Sequence, residues 1–145
     1  MCLAFSRINE AHVQNMRCRR VDPDGNCLFR AASVALSGDF HFEEDESATE
    51  LRSEVVTFMR KNRTTFECFM LDNFDRYLEK MQQNNIWGGE QELSAIARLK
   101  RRPVHVYESI GNEYVLFSQY PDGTAADRTA IRLLFNAKHY DALFE

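Results

Sequence analysis

No apolar run in this chain lasts more than a few residues, so no stretch reads as a membrane-spanning helix of about 20 residues. Residues 1–9 carry neither the apolar core nor the small-residue cleavage pattern of a secretory signal. The expectation is therefore a cytoplasmic protein, although a nuclear protein, or one delivered into a host cell by a specialised system, would carry the same signature. Cysteines are few. Cys2, Cys18, Cys27 and Cys68 form no CxxC pair and keep no regular spacing, which argues against a disulfide framework or a zinc site. A basic excess is also missing: 18 Lys and Arg stand against 22 Asp and Glu, and phosphate binding needs cations clustered across a face. Nucleic acid and membrane are excluded as main partners on these grounds. Arg17, Arg19 and Arg20, and the run from Arg98 to Arg102, read as solvated surface, as contacts for an acidic partner, or as the cationic end of a helix. No internal repeat is visible.

What remains is 145 residues of ordinary globular composition, enough for one domain with its own core over residues 1–145 and a monomer by default. Residues 8–16 can form a short helix, and residues 17–23 read as an extended lead into a turn at Pro23, Asp24, Gly25 and Asn26. From Cys27, apolar residues recur at helical spacing through Leu36 until Gly38 ends the run. After an acidic loop over residues 43–46, Ser47 and Glu50 are spaced as a capping box, and Leu51, Val55, Phe58 and Met59 supply the inner face of a second helix. Phe66, Phe69, Met70, Phe74, Tyr77, Leu78 and Met81 predict a third, with Cys68 inside it, and their stripe reads as core. Residues 86–89 are a loop and 90–100 a fourth helix. Beyond Pro103 the pattern turns to strands at 104–108, 114–119, 130–135 and 140–144, with turns at Gly111-Asn112 and at Pro121-Asp122-Gly123. The fold class is α+β, with helices packed around a small, mainly antiparallel sheet.

Chemistry concentrates around Cys27. A thiol at a helix N-terminus faces unpaired backbone N–H groups and the positive end of the dipole, which favours thiolate. The tight turn before it can aim amides at an oxyanion, and Gly25 allows close approach. A base is needed as well. His139 opens the last strand, and Asp141, two residues on and on the same side of an extended chain, can accept its imidazole N–H. The bland readings stand beside these: Asp24 as a turn residue, Asn26 as a strained turn position, and Trp87 as a ring anchoring its loop in the core. His12, His41 and His105 have no partner at useful spacing, and Cys2, Cys18 and Cys68 read as structural or incidental thiols.

Three blocks, in order, resemble the ovarian tumour (OTU) family of cysteine peptidases, which remove ubiquitin or cut its chains. They are Asp24-Gly25-Asn26-Cys27-Leu28-Phe29-Arg30-Ala31, the segment from Trp87-Gly88-Gly89-Glu90 to Ala97, and His139-Tyr140-Asp141. The resemblance implies a papain-like OTU fold with Cys27 as nucleophile and His139 as general base, then acid. It also implies an oxyanion hole in the turn Asp24, Gly25, Asn26 and Cys27, with the Cys27 N–H as a donor. Family members differ on the third catalytic residue, and positions matching both Asp24 and Asp141 are acidic here; the strand argument favours Asp141. Trp87, Gly88, Gly89, Lys138 and Tyr140 are candidates for the channel that admits a glycine C-terminus. Hydrolysis of the isopeptide bond to ubiquitin's last glycine, through a Cys27 thioester, is the implied reaction. It uses no metal or other cofactor, and its partners are ubiquitin, polyubiquitin chains and ubiquitinated proteins. The alternatives are a catalytically silent ubiquitin-binding module, or a cysteine peptidase for another ubiquitin-like modifier.

Overall fold

A computed structural model describes residues 16–121 and 129–145, the Phe69 side chain excepted. The proposed helix over residues 8–16 and the turn at Pro121-Asp122-Gly123 fall mostly or wholly outside that range. Along the chain run β1 (Arg17–Arg19), α1 (Cys27–Ser37), α2 (Asp45–Lys61), α3 (Arg63–Phe66), a 3-10 turn (Glu67–Phe69), α4 (Phe74–Met81) and α5 (Glu90–Lys100). The sheet strands β2 (Val104–Ile110), β3 (Glu113–Tyr120), β4 (Ile131–Asn136) and β5 (His139–Phe144) follow. The sheet order is β1-β5-β4-β2-β3, antiparallel throughout except for the parallel pair β2 and β4. This is the α+β arrangement with helices against a mainly antiparallel sheet.

The helix that starts at Cys27 begins where its pattern begins. α1 buries Cys27, Leu28, Phe29, Ala31, Ala32 and Val34 and ends at Gly38, whose φ of 71° suits a residue without Cβ. Its small alanines let it lie close against β4 and β5, so its N-terminus stands over the sheet. Each fully buried Leu or Phe on this helix contributes about 1.5–3 kcal/mol of apolar transfer free energy.

Two helix boundaries differ from the sequence expectation. α2 starts at Asp45 with Glu44 as its first half-turn residue, so Ser47 lies inside the helix and caps nothing. Asp45 and Glu46 occupy the first turn, where carboxylates suit the positive dipole end, and the acidic loop is in part helix. The stripe from Phe66 to Met81 is not one helix. Asn73 restarts the chain as the cap of α4, its side-chain oxygen accepting the Arg76 N–H at 3.0 Å, and Cys68 sits exposed in the 3-10 turn between. Phe66, Phe74, Leu78 and Met81 are buried all the same. The side-chain periodicity reported the core correctly while the cap broke the backbone.

Between β4 and β5 the chain reverses through Ala137 and Lys138, with Asn136 opposite His139. Both turn residues have positive φ, 49° and 72°, the backbone of a type I′ turn that normally takes Asn-Gly. Left-handed backbone costs an ordinary residue about 1–2 kcal/mol, so the turn that delivers His139 carries strain. Replacing Ala137-Lys138 by Asn-Gly is expected to raise unfolding stability by about 1 kcal/mol. Urea denaturation followed by circular dichroism checks this; an unchanged or lowered midpoint would show that the turn is not strained.

Candidate active site

The turn before Cys27 is held from within. Asp24 accepts the Asn26 N–H on Oδ1 at 2.9 Å and the Arg30 Nε–H at 3.2–3.3 Å, while the Cys27 N–H reaches the Asp24 carbonyl at 3.2 Å. Arg30 in turn bridges to Glu44 and Asp45. Gly25 has no room for a side chain: an added Cβ would lie 1.9 Å from the Asn85 carbonyl oxygen. The turn is therefore wedged against the segment before α5, and only glycine fits there.

Cys27 is 1 % exposed. The backbone N–H groups of Leu28, in the first turn of α1, and of Tyr140, in β5, lie near its sulfur and favour the thiolate. The second contact follows from the register. Asn136 and His139 flank the two-residue turn as a hydrogen-bonded pair, so the Tyr140 N–H points away from β4, toward the side where β1 pairs with β5. β1 ends at Arg19 opposite Ala142, and the Tyr140 N–H meets the sulfur where a strand partner would otherwise continue.

Burial pushes the Cys27 thiol above an ordinary thiol, and the Asp24 and Asp141 charges add to this; the two amide bonds pull the other way but lose. The expectation that the helix N-terminus alone favours thiolate is thus corrected. Removal from water disfavours the charged form more than the first-turn amides favour it.

His139 and Asp141 lie on one face of β5, while Tyr140 and Ala142 are buried in the core on the other. The His139 Nε2–H donates to Asp141 Oδ1 at 2.8 Å, and since a carboxylate brings no proton, Nε2 carries it in the neutral ring. Nδ1 is then the basic nitrogen, buried and without a partner. The same Asp141 oxygen accepts the Val21 N–H at 2.9 Å and so ties the lead into the nucleophile turn to the histidine strand. Asp24 makes its bonds to the turn and to Arg30 rather than to the imidazole.

Of the channel candidates, Gly88 lies over the start of α1, where an added Cβ would come within 3.3–3.5 Å of Leu28, Glu92 and Phe29. The Gly89 N–H donates to buried Glu92 at 2.7 Å, and the Tyr77 hydroxyl donates to the other Glu92 oxygen at 2.6 Å. Trp87 is 50 % exposed, which overturns its reading as a core anchor: the glycines beside it and the Glu92 clamp fix the loop without the ring. Lys138 is exposed at the hairpin tip, and Tyr140 is buried.

Sequence reasoning missed Arg52. It sits among the apolar residues on the inner face of α2 and donates to Gly25 and Asn26 of the nucleophile turn. The available signal was its spacing, three, four and seven residues before Val55, Val56 and Met59, on a face where a cation does not belong unless it is bonded.

A buried thiol at a helix N-terminus, beside a strand whose histidine is oriented by an aspartate, is the layout of a thiol hydrolase with its base on a separate element. The chain belongs to the OTU-like cysteine protease family, whose model matches residues 22–140. It is 30% identical over 128 residues to the Arabidopsis thaliana OVARIAN TUMOR DOMAIN-containing deubiquitinating enzyme 6, covering 88% of this chain and 24% of that one. The human OTU domain-containing protein 4 is 27% identical over 127 residues, covering 86% of this chain and 10% of the relative. The chain thus spans a quarter or less of the length of these two relatives. Among solved folds, the OTUD1 OTU domain superposes with a TM-score of 0.76 at 24% identity, covering 90% of this chain and 86% of that one. The Hazara virus OTU bound to ubiquitin gives 0.70 at 24%, covering 89% and 80%.

Two outcomes follow from the site. Alkylation of Cys27 by iodoacetamide should accelerate with pH along a titration centred above that of an ordinary thiol; a curve centred below neutrality would show a resting thiolate. The raised thiol also contributes stability that is full below the ordinary thiol range and is lost as pH rises through the folded value. Asp141→Ala leaves the Val21 N–H unpaired and should cost about 1–3 kcal/mol by denaturant titration, whereas Asp141→Asn should keep most of that stability. Equal losses in the two variants would mean that the Val21 bond contributes little.

Proposed function

We propose that this chain is a deubiquitinating thiol isopeptidase with Cys27 as nucleophile, His139 as base and acid, and Asp141 as the residue that orients the imidazole. The observation that carries this reading is the state of His139: Nε2 is committed to Asp141 at 2.8 Å, and Nδ1 is buried without a partner, one residue before Tyr140, whose amide lies near the Cys27 sulfur. Family membership supports the reaction class. Support for ubiquitin as substrate comes from the relative named as a deubiquitinating enzyme and from the Hazara virus fold neighbour solved with ubiquitin.

In the proposed sequence of steps, Nδ1 takes the thiol proton as the sulfur attacks the carbonyl of ubiquitin's last glycine. Asp141 offsets the charge of the imidazolium. The oxyanion develops beside the turn Asp24, Gly25, Asn26 and Cys27, where the Cys27 N–H exchanges its long contact with the Asp24 carbonyl for the new charge. Asp24 shapes that turn through Asn26 and Arg30. The imidazolium protonates the departing lysine amine. Water then gives a proton to Nδ1 and attacks the thioester, releasing ubiquitin and regenerating the thiol. All groups in this scheme come from the chain and its substrate.

The channel to a sulfur this deep takes an unbranched chain, which suits a glycine terminus. Gly88 and Gly89 are proposed to form one wall, with Trp87 at its exposed rim; Lys138 and the Tyr140 backbone form the other. Polyubiquitin and ubiquitinated proteins are the proposed partners, and linkage preference would reside in surfaces outside this site.

A ubiquitin probe with an electrophilic C-terminus should form a covalent adduct with the wild type, none with Cys27→Ala, and an adduct at least 100-fold more slowly with His139→Ala. No adduct from folded wild type would move the assignment to another modifier or to a silent ubiquitin-binding module, and direct binding of ubiquitin would separate those two.

A further inference from the structure

Arg52 is 2 % exposed, buried on α2 beside Ala48, Leu51, Val55, Val56 and Met59. A guanidinium in such a place is tolerated only when its N–H groups are satisfied. Nη1 donates to the Met81 carbonyl at 2.8 Å. Nη2 donates to the Asn26 side-chain oxygen at 2.7 Å, the Ile86 carbonyl at 2.9 Å and the Gly25 carbonyl at 3.1 Å. The guanidinium carbon lies 4.4 Å from the centre of the Phe29 ring. None of these acceptors is a carboxylate. They belong to three separate pieces of chain: the end of α4, the segment leading to Trp87, and the nucleophile turn.

Asn26 shows what this does to the site. It occupies the N-cap of α1 and is of a residue type strongly preferred there, since its oxygen can accept the N–H of the second or third helical residue. It makes no such bond. Its oxygen is held instead by Arg52 and by the Asn85 N–H at 2.9 Å. Were it to turn onto the helix, the amides within reach would be those of Leu28 and Phe29, in the first turn of the helix that Cys27 begins.

We propose that Arg52 is a positioning residue that draws the Asn26 side chain away from the start of α1, so that the first-turn amides beside Cys27 stay clear of its oxygen, and that joins the turn before Cys27 to the segment bearing Trp87. The inference rests on Cys27 being the nucleophile. It adds a buried cation that acts through a neighbour and touches neither sulfur nor substrate.

Its test compares the pH profile of Cys27 alkylation by iodoacetamide in the wild type, Arg52→Lys, and Arg52→Lys with Asn26→Ala, each checked for folding by thermal denaturation. Lysine keeps the charge but lacks the planar fork that spans these acceptors. Folded Arg52→Lys should alkylate at least 10-fold more slowly at neutral pH, with its profile moved to higher pH. Adding Asn26→Ala, which removes the competing oxygen, should restore at least 3-fold of that rate. A wild-type profile in Arg52→Lys overturns the inference, and so does a loss that Asn26→Ala leaves uncorrected, because general loosening would then be the cause. Should Arg52→Lys not fold, Asn26→Ser and Asn26→Ala decide the matter: serine is too short for Arg52 but caps well, so it should alkylate at least 3-fold more slowly than alanine. Equal rates overturn the inference. Alkylation needs no ubiquitin, so a wild type inert toward the ubiquitin probe counts against the proposed activity without touching this result.

Discussion

A charge taken out of water must find its hydrogen bonds inside the protein, and the Arg52 guanidinium finds them on carbonyl and amide oxygens of the turn before Cys27 and of the stretch from the end of α4 onward, two segments far apart in the chain. Those segments have little other reason to meet at these distances. The nucleophile turn is polar and tight, and the stretch between α4 and α5 has no secondary structure to hold its shape. Seated among buried side chains, the guanidinium gives both a common reference. The Gly25 wedge against Asn85 completes the joint from the outside. Glu92 does comparable work at the other end of the stretch. Its buried carboxyl, pushed up by loss of solvent, is held by the Tyr77 hydroxyl and the Gly89 amide. A segment of irregular backbone is thus fixed at both ends by buried ionisable groups, and Trp87 between them is left facing solvent.

On the sheet side the organising group is Asp141. One of its oxygens takes both the Val21 amide and the His139 imidazole, so the strand carrying His139 and the segment leading to Cys27 meet at a single atom. Because β1 stops at Arg19, the Tyr140 amide, near the Cys27 sulfur, has no partner in β1. The strained turn at Ala137 and Lys138 sets where His139 begins. Burial works against the thiolate at Cys27, so in the proposed reaction the thiol depends on a neighbouring base.

Much of the layout was legible in the order of residues. The start of α1 at Cys27 and its end at Gly38, the α5 segment, and the run of strands after Pro103 all followed from apolar spacing and turn residues, which act between neighbours in the chain. The contact between His139 and Asp141 followed from strand alternation. The one long helix expected from Phe66 to Met81 did not, because Asn73 caps a new helix while the apolar stripe continues across the break. Ser47 misled for a related reason: a capping-box spacing recurs inside helices, and Asp45 and Glu46 already suit the first turn.

By itself the sequence determined which local pieces form and which residue types carry the chemistry, because helix caps, glycine turns and alternation are settled within a few residues of chain. Only the tertiary structure decided that Arg52 is a buried clamp rather than a solvated cation, that Trp87 faces outward, and that the Cys27 thiol is held above its ordinary range. Each of these depends on what lies across the fold. Burial, and the partners that make it tolerable, are supplied by segments from 15 to 120 residues away, such as Tyr77 to Glu92 and Val21 to Asp141, and no local pattern announces them.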